Sequence, residues 1–365
     1  MAPVRVDYAD LATGADLSPA IRLAFGPEGQ GLLVVRSVPG VMEARKALLP
    51  LAFAFASLPA HARQACEISS SSYSVGWSHG RERLEGRPDL AKASFYANPL
   101  SDALGSPSSQ EMRENPSFAH PNVWPVEIPA LRPAFMALGK LVVEVGKLLA
   151  KQCDAHVTRE LQGAEYTRLA PIVEDPRCCK ARLLHYFPLA DAATSPLSSP
   201  APSGDRGFSD WCGWHNDHGS LTGLVAGMYI DSRSGEVLPA SPDPSAGLYV
   251  RDRRGTLHHL PISEDEIAFQ IGEAAQIHSG GVLQATPHAV RACDPASASS
   301  RYACREAFAV FMQPFWGEQM TVPRGIPPKV AMAQGAIGML PPRVPSIESR
   351  WDDSLTFGDF TRKSE

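Results

Sequence analysis

Gly213-Trp-His-Asn-Asp-His-Gly-Ser-Leu-Thr222 is the stretch from which the rest of the chain can be read. His215 and Asp217 stand at i and i+2. On an extended strand such residues leave the same face, so one backbone segment holds two candidate metal ligands side by side. The following run, Leu221-Thr-Gly-Leu-Val-Ala-Gly-Met-Tyr-Ile230, is apolar with turn-permissive glycines and reads as a buried strand. From a regular strand His218 points opposite to Asp217 and does not easily share a metal with it. A His and an Asp at the mouth of a buried strand need a third ligand from elsewhere.

The best candidate is His288, in Gln284-Ala-Thr-Pro-His-Ala-Val290, where apolar residues flank a single histidine and a strand resumes. His278 competes, but Gln276-Ile-His-Ser-Gly-Gly281 reads as a turn-bound loop, and His258-His259 lie on a hairpin. Two His and one carboxylate with open coordination positions form the facial triad of non-haem Fe(II) oxygenases. Further on, Arg305 opens Arg-Glu-Ala-Phe-Ala-Val-Phe-Met-Gln-Pro314, a strand in which Phe308, Val310 and Met312 alternate with Ala309, Phe311 and Gln313.

His-x-Asp, a distal His in a Thr-Pro-His-x-Val setting and an Arg opening a Phe-rich strand that ends in Pro together resemble the isopenicillin N synthase-like branch of the 2-oxoglutarate/Fe(II) dioxygenases. The resemblance is strong over roughly residues 180 to 315 and looser upstream, at Ser-Tyr-Ser-Val-Gly-Trp77 and Ser-Phe-Tyr-Ala-Asn-Pro99. It implies a double-stranded β-helix with a helical preface. Fe(II) would be held by His215, Asp217 and His288, with 2-oxoglutarate as cosubstrate, dioxygen as oxidant and a small molecule as prime substrate. The keto acid would chelate the iron, and Arg305 would hold its far carboxylate, a task that suits a planar guanidinium fork. In this family the strand Ala181-Arg-Leu-Leu-His-Tyr-Phe-Pro188 carries Asn-x-Tyr-Pro, whose Asn and Tyr help hold the cosubstrate. Here His185 and Phe187 stand at those positions, with Tyr186 between them and pointing to the other face; Tyr186 is taken as the candidate cosubstrate contact. Ala307 stands where a Ser or Thr usually follows the Arg.

Those departures keep a second reading open, an Fe(II) oxidase of the same branch that works without 2-oxoglutarate, directly or with ascorbate. A third class is non-oxidative: a metal-dependent hydrolase on a jelly roll, or a metal-free binding module. A hydrolase needs a positioned carboxylate base, and no Glu is visible in the ligand stretches.

The 365 residues, 44% hydrophobic and 20% charged, describe a globular protein with ample core-forming material. A net charge of −5 gives no reason to expect nucleic acid. The opening Met-Ala-Pro-Val-Arg-Val-Asp-Tyr8 has no long apolar core, and no window approaches a membrane span. The seven cysteines are odd in number and scattered, so thiols in a reducing, cytoplasmic setting are expected. Cys212, three residues before His215, reads as a small buried residue or as a thiol sensitive to nearby iron chemistry.

In chain order, residues 1–175 read as an α/β preface, 176–321 as the β core and 322–365 as a Pro-rich extension. Gly31–Arg36 is a short strand, Glu43–Ala65 a helix, Ser69–Gly86 a Gly/Ser/aromatic loop and Pro99–Pro125 an irregular connection. Leu131, Phe135, Leu138, Val142, Val145 and Leu149 form the apolar stripe of a helix over Pro129–Cys153, suited to bracing a barrel or to dimerisation. Ala193–Gly204, rich in Ser and Pro, reads as a mobile loop. Gly247–Arg251 and Thr256–Ile262 form a hairpin around Asp252-Arg-Arg-Gly255, and Ile267–Ile271 follows. Short strands at this spacing suggest an α+β chain, mainly β, built on a jelly roll with helices bracing it.

Overall fold

The structure, a computed structural model, describes residues 3–84, 87–103, 107–189, 211–333, 340 and 344–364. The run Ala193–Gly204 lies outside them. The strands are β1 (Val4–Asp7), β2 (Leu33–Arg36), β3 (Gly76–His79), β4 (Arg83–Leu84), β5 (Arg87–Pro88), β6 (Lys92–Ala97), β7 (Lys180–Tyr186), β8 (Cys212–His215), β9 (Leu221–Val225) and β10 (Met228–Asp231). They continue with β11 (Gly247–Arg251), β12 (Leu257–His259), β13 (Ile267–Ile271), β14 (His288–Arg291) and β15 (Ala303–Met312). A nine-stranded sheet runs β1-β2-β13-β9-β15-β7-β6-β3, with β10 also on β15, and a four-stranded sheet runs β12-β11-β14-β8. β1, β2, β3 and β6 come from the first 175 residues, so the preface extends the large sheet.

Side-chain parity sorts the core into two layers. Val34, Leu184, Ala268, Ala303 and Ala307 of the large sheet meet Leu248, Val250 and Val290 of the small one. Their neighbours Leu33, Val35, Leu183, Phe308, Val310 and Met312 face the other way, onto the helices. Burial on both faces explains why these strands read as apolar runs rather than as alternating ones. The bracing helix spans Leu131–Glu160, about two turns beyond its expected end. Its stripe, Leu131, Phe135, Leu138, Val142, Val145 and Leu149, is at most 1% exposed, buried within the chain itself. Close approach depends on missing side chains: a Cβ on Gly223 of β9 would stand 2.4 Å from Val142 Cγ1.

Several local expectations change. Glu43–Ala65 is three helices, Val41–Leu48, Pro50–Ala56 and Ala60–Gln64. Pro50 occupies the first position of the second and Pro59 precedes the third, where a missing N–H does least harm. Leu221–Ile230 divides into β9 and β10 at Ala226-Gly227, whose carbonyls accept from the Arg45 guanidinium at 2.7 Å each. Pro99–Pro125 contains a helix, Ser109–Glu114, opened by a Ser108/Glu111 capping box. Beyond Val322, Ile347, Trp351, Phe357 and Phe360 pack with Phe118, Ala274 and Ile277 into a third core. None of the cysteines is in a disulfide. Among the described residues no helix is long and apolar enough to cross a membrane.

Leu138, fully buried between helix and sheet, and Leu23, 55% exposed, make a matched test of this layering. Leu138→Ala is expected to lower the unfolding free energy by about 2–5 kcal/mol and Leu23→Ala by no more than about 0.5 kcal/mol, as read by urea denaturation.

Candidate metal centre

β8 and β14 pair antiparallel with His215 opposite His288, and an irregularity follows between His288 and Val290. The two rings stand 4.2 Å apart, centroid to centroid. β8 ends at His215, so Asp217 reaches the site from the turn beyond the strand rather than from a continuous extended segment. Its Oδ1 lies 3.8 Å from His215 Nε2 and 3.8 Å from His288 Nε2. The three donor atoms lie within 4.8 Å of one another.

The outer hydrogen bonds orient every donor. His215 Nδ1 is 2.8 Å from the Gly213 carbonyl and His288 Nδ1 is 3.1 Å from the Thr286 carbonyl. A carbonyl only accepts, so each Nδ1 carries a proton, which leaves each Nε2, on the Asp217 side, as the atom that can ligate a metal. Thr222 Oγ1 donates to Asp217 Oδ2 at 2.6 Å, leaving Oδ1 for a cation. Burial works against the Asp217 carboxylate, but His288, His215 and the Thr222 hydroxyl hold its pKa below the usual value. Burial pushes His288 down to about 4, the neutral form a ligand needs. Burial also opposes charge on His215, yet Cys212 and then Asp217 outweigh it and raise that group to about 9. A bound cation would displace that proton. Two neutral imidazoles and one carboxylate on one side of a point fit a divalent ion with open positions.

Arg305 and Tyr186 are cross-strand partners on β15 and β7. The guanidinium carbon lies 5.3 Å from the phenol ring centre. Tyr186 belongs to the core between the sheets, as does Ala307, two residues beyond Arg305. His185 and Phe187 flank Tyr186 on the opposite face, where their rings meet at 4.4 Å. Arg305 is 8% exposed, and among the described residues no carboxylate pairs with it. It reaches a cavity of about 340 Å³ lined also by Tyr229, Leu248 and Leu260. A buried, unpaired guanidinium is destabilising until an anion joins it.

The competing histidines lie elsewhere. His278 ends the buried helix Glu273–His278, with Nε2 3.2 Å from the Gln319 carbonyl. His218 stacks on Phe357. Glu273, not singled out in the sequence, lies close by: its N–H donates to the Asp217 carbonyl at 2.8 Å. Its carboxylate, however, is bound by Arg350 Nη2 at 2.8 and 2.9 Å, so it is not a poised base. Thr222 and Gln270 were also missed. They are cross-strand partners on β9 and β13, and Gln270, 1% exposed, has neither amide atom partnered. Only the pairing of β9 with β13, invisible in local sequence, brings Gln270 beside the Thr222–Asp217 bond.

No family model matches the chain, and no curated protein matches it by sequence. Solved structures do. A Caulobacter crescentus protein of the 2OG-Fe(II) oxygenase family shares 17% identity at TM-score 0.61, over 99% of this chain and 97% of that one. The full-length Neurospora crassa protein in complex with alpha-KG shares 16% at TM-score 0.61, over 99% and 95%. JOX2 in complex with 2OG, Fe and JA shares 16% at TM-score 0.55, over 100% and 85%. At such identity the likeness carries the fold.

A buried amide without partners destabilises the protein that carries it. Gln270→Met, which keeps the volume and removes the orphaned atoms, is expected to raise the stability of the metal-free protein by about 1–3 kcal/mol in urea denaturation. A fall in stability would show that the amide is satisfied.

Proposed function

We propose that this chain is a non-haem Fe(II) oxygenase that couples decarboxylation of 2-oxoglutarate to oxidation of a small molecule, on a double-stranded β-helix core. The observation that carries the reading is the His215–Asp217–His288 donor set, supported by a buried Arg305 that no carboxylate pairs with among the described residues. Fe(II) with 2-oxoglutarate supplies the chemistry when bound: dioxygen is reduced, succinate and CO2 leave, and a C–H bond of the prime substrate is oxidised.

The chain's own part is ligation, orientation and exclusion of water. His215, Asp217 and His288 would hold the metal on one side, their ring tautomers set by Gly213 and Thr286 and their carboxylate by Thr222. Arg305 would bind the distal carboxylate of the keto acid through its two-pronged fork, with the Tyr186 hydroxyl beside it. Ala307 offers no hydroxyl there, so more of the carboxylate's orientation falls on Arg305. The apolar residues between the sheets exclude water, which strengthens the guanidinium–carboxylate pair.

The oxidase that dispenses with 2-oxoglutarate gains support from Ala307 and from His185 and Phe187, which stand where the family has Asn and Tyr. Against it stands Arg305, since a buried cation with no carboxylate partner among the described residues favours an anionic ligand. A hydrolase finds no free carboxylate base beside the triad among the described residues, Glu273 being held by Arg350.

Titrating the anaerobic Fe(II) protein with 2-oxoglutarate, followed by the metal-to-ligand charge-transfer absorption, tests the reading. A saturable band is expected. Oxygen uptake with ascorbate alone and no band would instead assign the 2-oxoglutarate-independent reaction.

Two sets of variants sharpen it. His288→Ala is expected to abolish iron binding and turnover while His278→Ala retains both; the reverse pattern in metal analysis would exchange their roles. Arg305→Lys keeps the charge but loses the fork, a loss of about 1–3 kcal/mol, or roughly ten- to a hundredfold in the 2-oxoglutarate dissociation constant. Iron content should not change.

A further inference from the structure

A second group of ligating side chains lies on the opposite face of the strands that carry Arg305 and Tyr186. His185, Cys304 and Glu306 are 3%, 1% and 0% exposed. Their meeting follows from register: Glu306 of β15 is the cross-strand partner of His185 on β7. Cys304 and Glu306 stand at i and i+2, so they share the face that Arg305, between them, does not. One donor atom from each residue lies within 4.8 Å of the others.

The arrangement is more than a salt bridge. His185 Nδ1 lies 2.8 Å from Glu306 Oε1, and that contact occupies one carboxyl oxygen. Oε2 is buried with no hydrogen-bond partner. Burial also pushes the Glu306 carboxyl above its usual pKa, only partly offset by His185. A carboxyl group sealed in an apolar core with one oxygen orphaned is costly unless something else binds it. Imidazole nitrogen, thiolate sulfur and carboxylate oxygen are the donors that zinc takes in proteins, and Glu306 Oε2 is the carboxylate oxygen the fold leaves open.

We propose that His185, Cys304 and Glu306 form a structural metal site that takes a zinc ion, separate from His215, Asp217 and His288. Loading releases to solvent the Cys304 thiol proton and the proton shared between His185 Nδ1 and Glu306 Oε1 as the sulfur, nitrogen and oxygen bonds to zinc form, and no electron moves. The ion ties β7 to β15 directly behind Tyr186 and Arg305, stiffening the strand pair that presents them. It does not depend on the oxygenase reading.

The test is metal analysis of the full chain, refolded with Zn²⁺ and then dialysed against a weak chelator. The Asp217→Ala variant, which disables the facial triad, is expected to retain one zinc per chain. Adding Cys304→Ala or Glu306→Gln to that background should weaken zinc binding by about a hundredfold or more. Should those variants fail to fold, Co²⁺ substitution in Asp217→Ala alone decides the matter, through a thiolate-to-cobalt charge-transfer band. Absence of both zinc and the cobalt band, zinc retention unchanged by Cys304→Ala, or iron in preference to zinc at this position would each overturn the assignment.

Discussion

Strand β15 has to satisfy two environments at once, and most of the molecule follows from that constraint. It runs through the large sheet with β7 on one side and both β9 and β10 on the other. One of its faces meets the long helix and the other meets the small sheet. Cys304, Glu306, Phe308, Val310 and Met312 belong to the first environment, Ala303, Arg305 and Ala307 to the second. A shift of a single residue would exchange the two sets, placing the guanidinium among the helices and Phe308 in the barrel. The helix stripe, with its close contacts at Gly223 and Gly146, locks the register because only the large apolar set fits against it. Packing on one face thereby determines the chemistry of the other.

The same parity explains what could be read from the sequence and what could not. His-x-Asp, the later His and the Arg were legible because each sits in a local pattern, a strand mouth or strand opening, that spacing alone reveals. So was the bracing helix, whose stripe repeats every three and four residues. Breaks set by single residues were harder. Prolines at 50 and 59 divide an otherwise helical run, and the β9/β10 break depends on Arg45, more than 180 positions away. Gln270 beside Thr222, Glu273 under Arg350 and Glu306 against His185 are matters of strand pairing and tertiary contact. No window of sequence contains both members of any of them. For Tyr186 the sequence supported alternation, so that it points away from His185 and Phe187. Which of the two faces held Arg305 had to come from register.

Buried polar groups divide into those the fold satisfies and those it leaves waiting. Asp154 is buried, yet its carboxylate accepts from the Leu169 and Ala170 N–H groups at 2.8 Å and from Tyr166 at 3.0 Å. Such a group fixes the long helix to the helix after it and asks for nothing more. Gln270 and Glu306 are of the other kind, each sealed from solvent with at least one atom unmatched. Both lie next to a set of ligating side chains, one on each face of the large sheet.

Two of the buried arginines, Arg45 and Arg305, make the same distinction for charge. Arg45, 3% exposed, donates to the Ala226 and Gly227 carbonyls and to Glu264 Oε1, at 2.7, 2.7 and 2.9 Å. Every prong of that fork is spoken for, and its role is to hold the break between β9 and β10. Arg305, scarcely more exposed, lies against the segment Arg45 clamps: a Cβ on Gly227 would stand 2.9 Å from its Nε. Gly227 thus leaves room for a guanidinium that no described carboxylate neutralises. Burial of a charge is tolerated when a partner repays the lost hydration. Arg45 finds that partner within the chain; for Arg305 none stands among the described residues beyond the Tyr186 ring, 5.3 Å from its guanidinium carbon. Among the described residues Arg45 has a carboxylate partner and Arg305 has none, and that contrast is what the proposed cosubstrate role of Arg305 rests on.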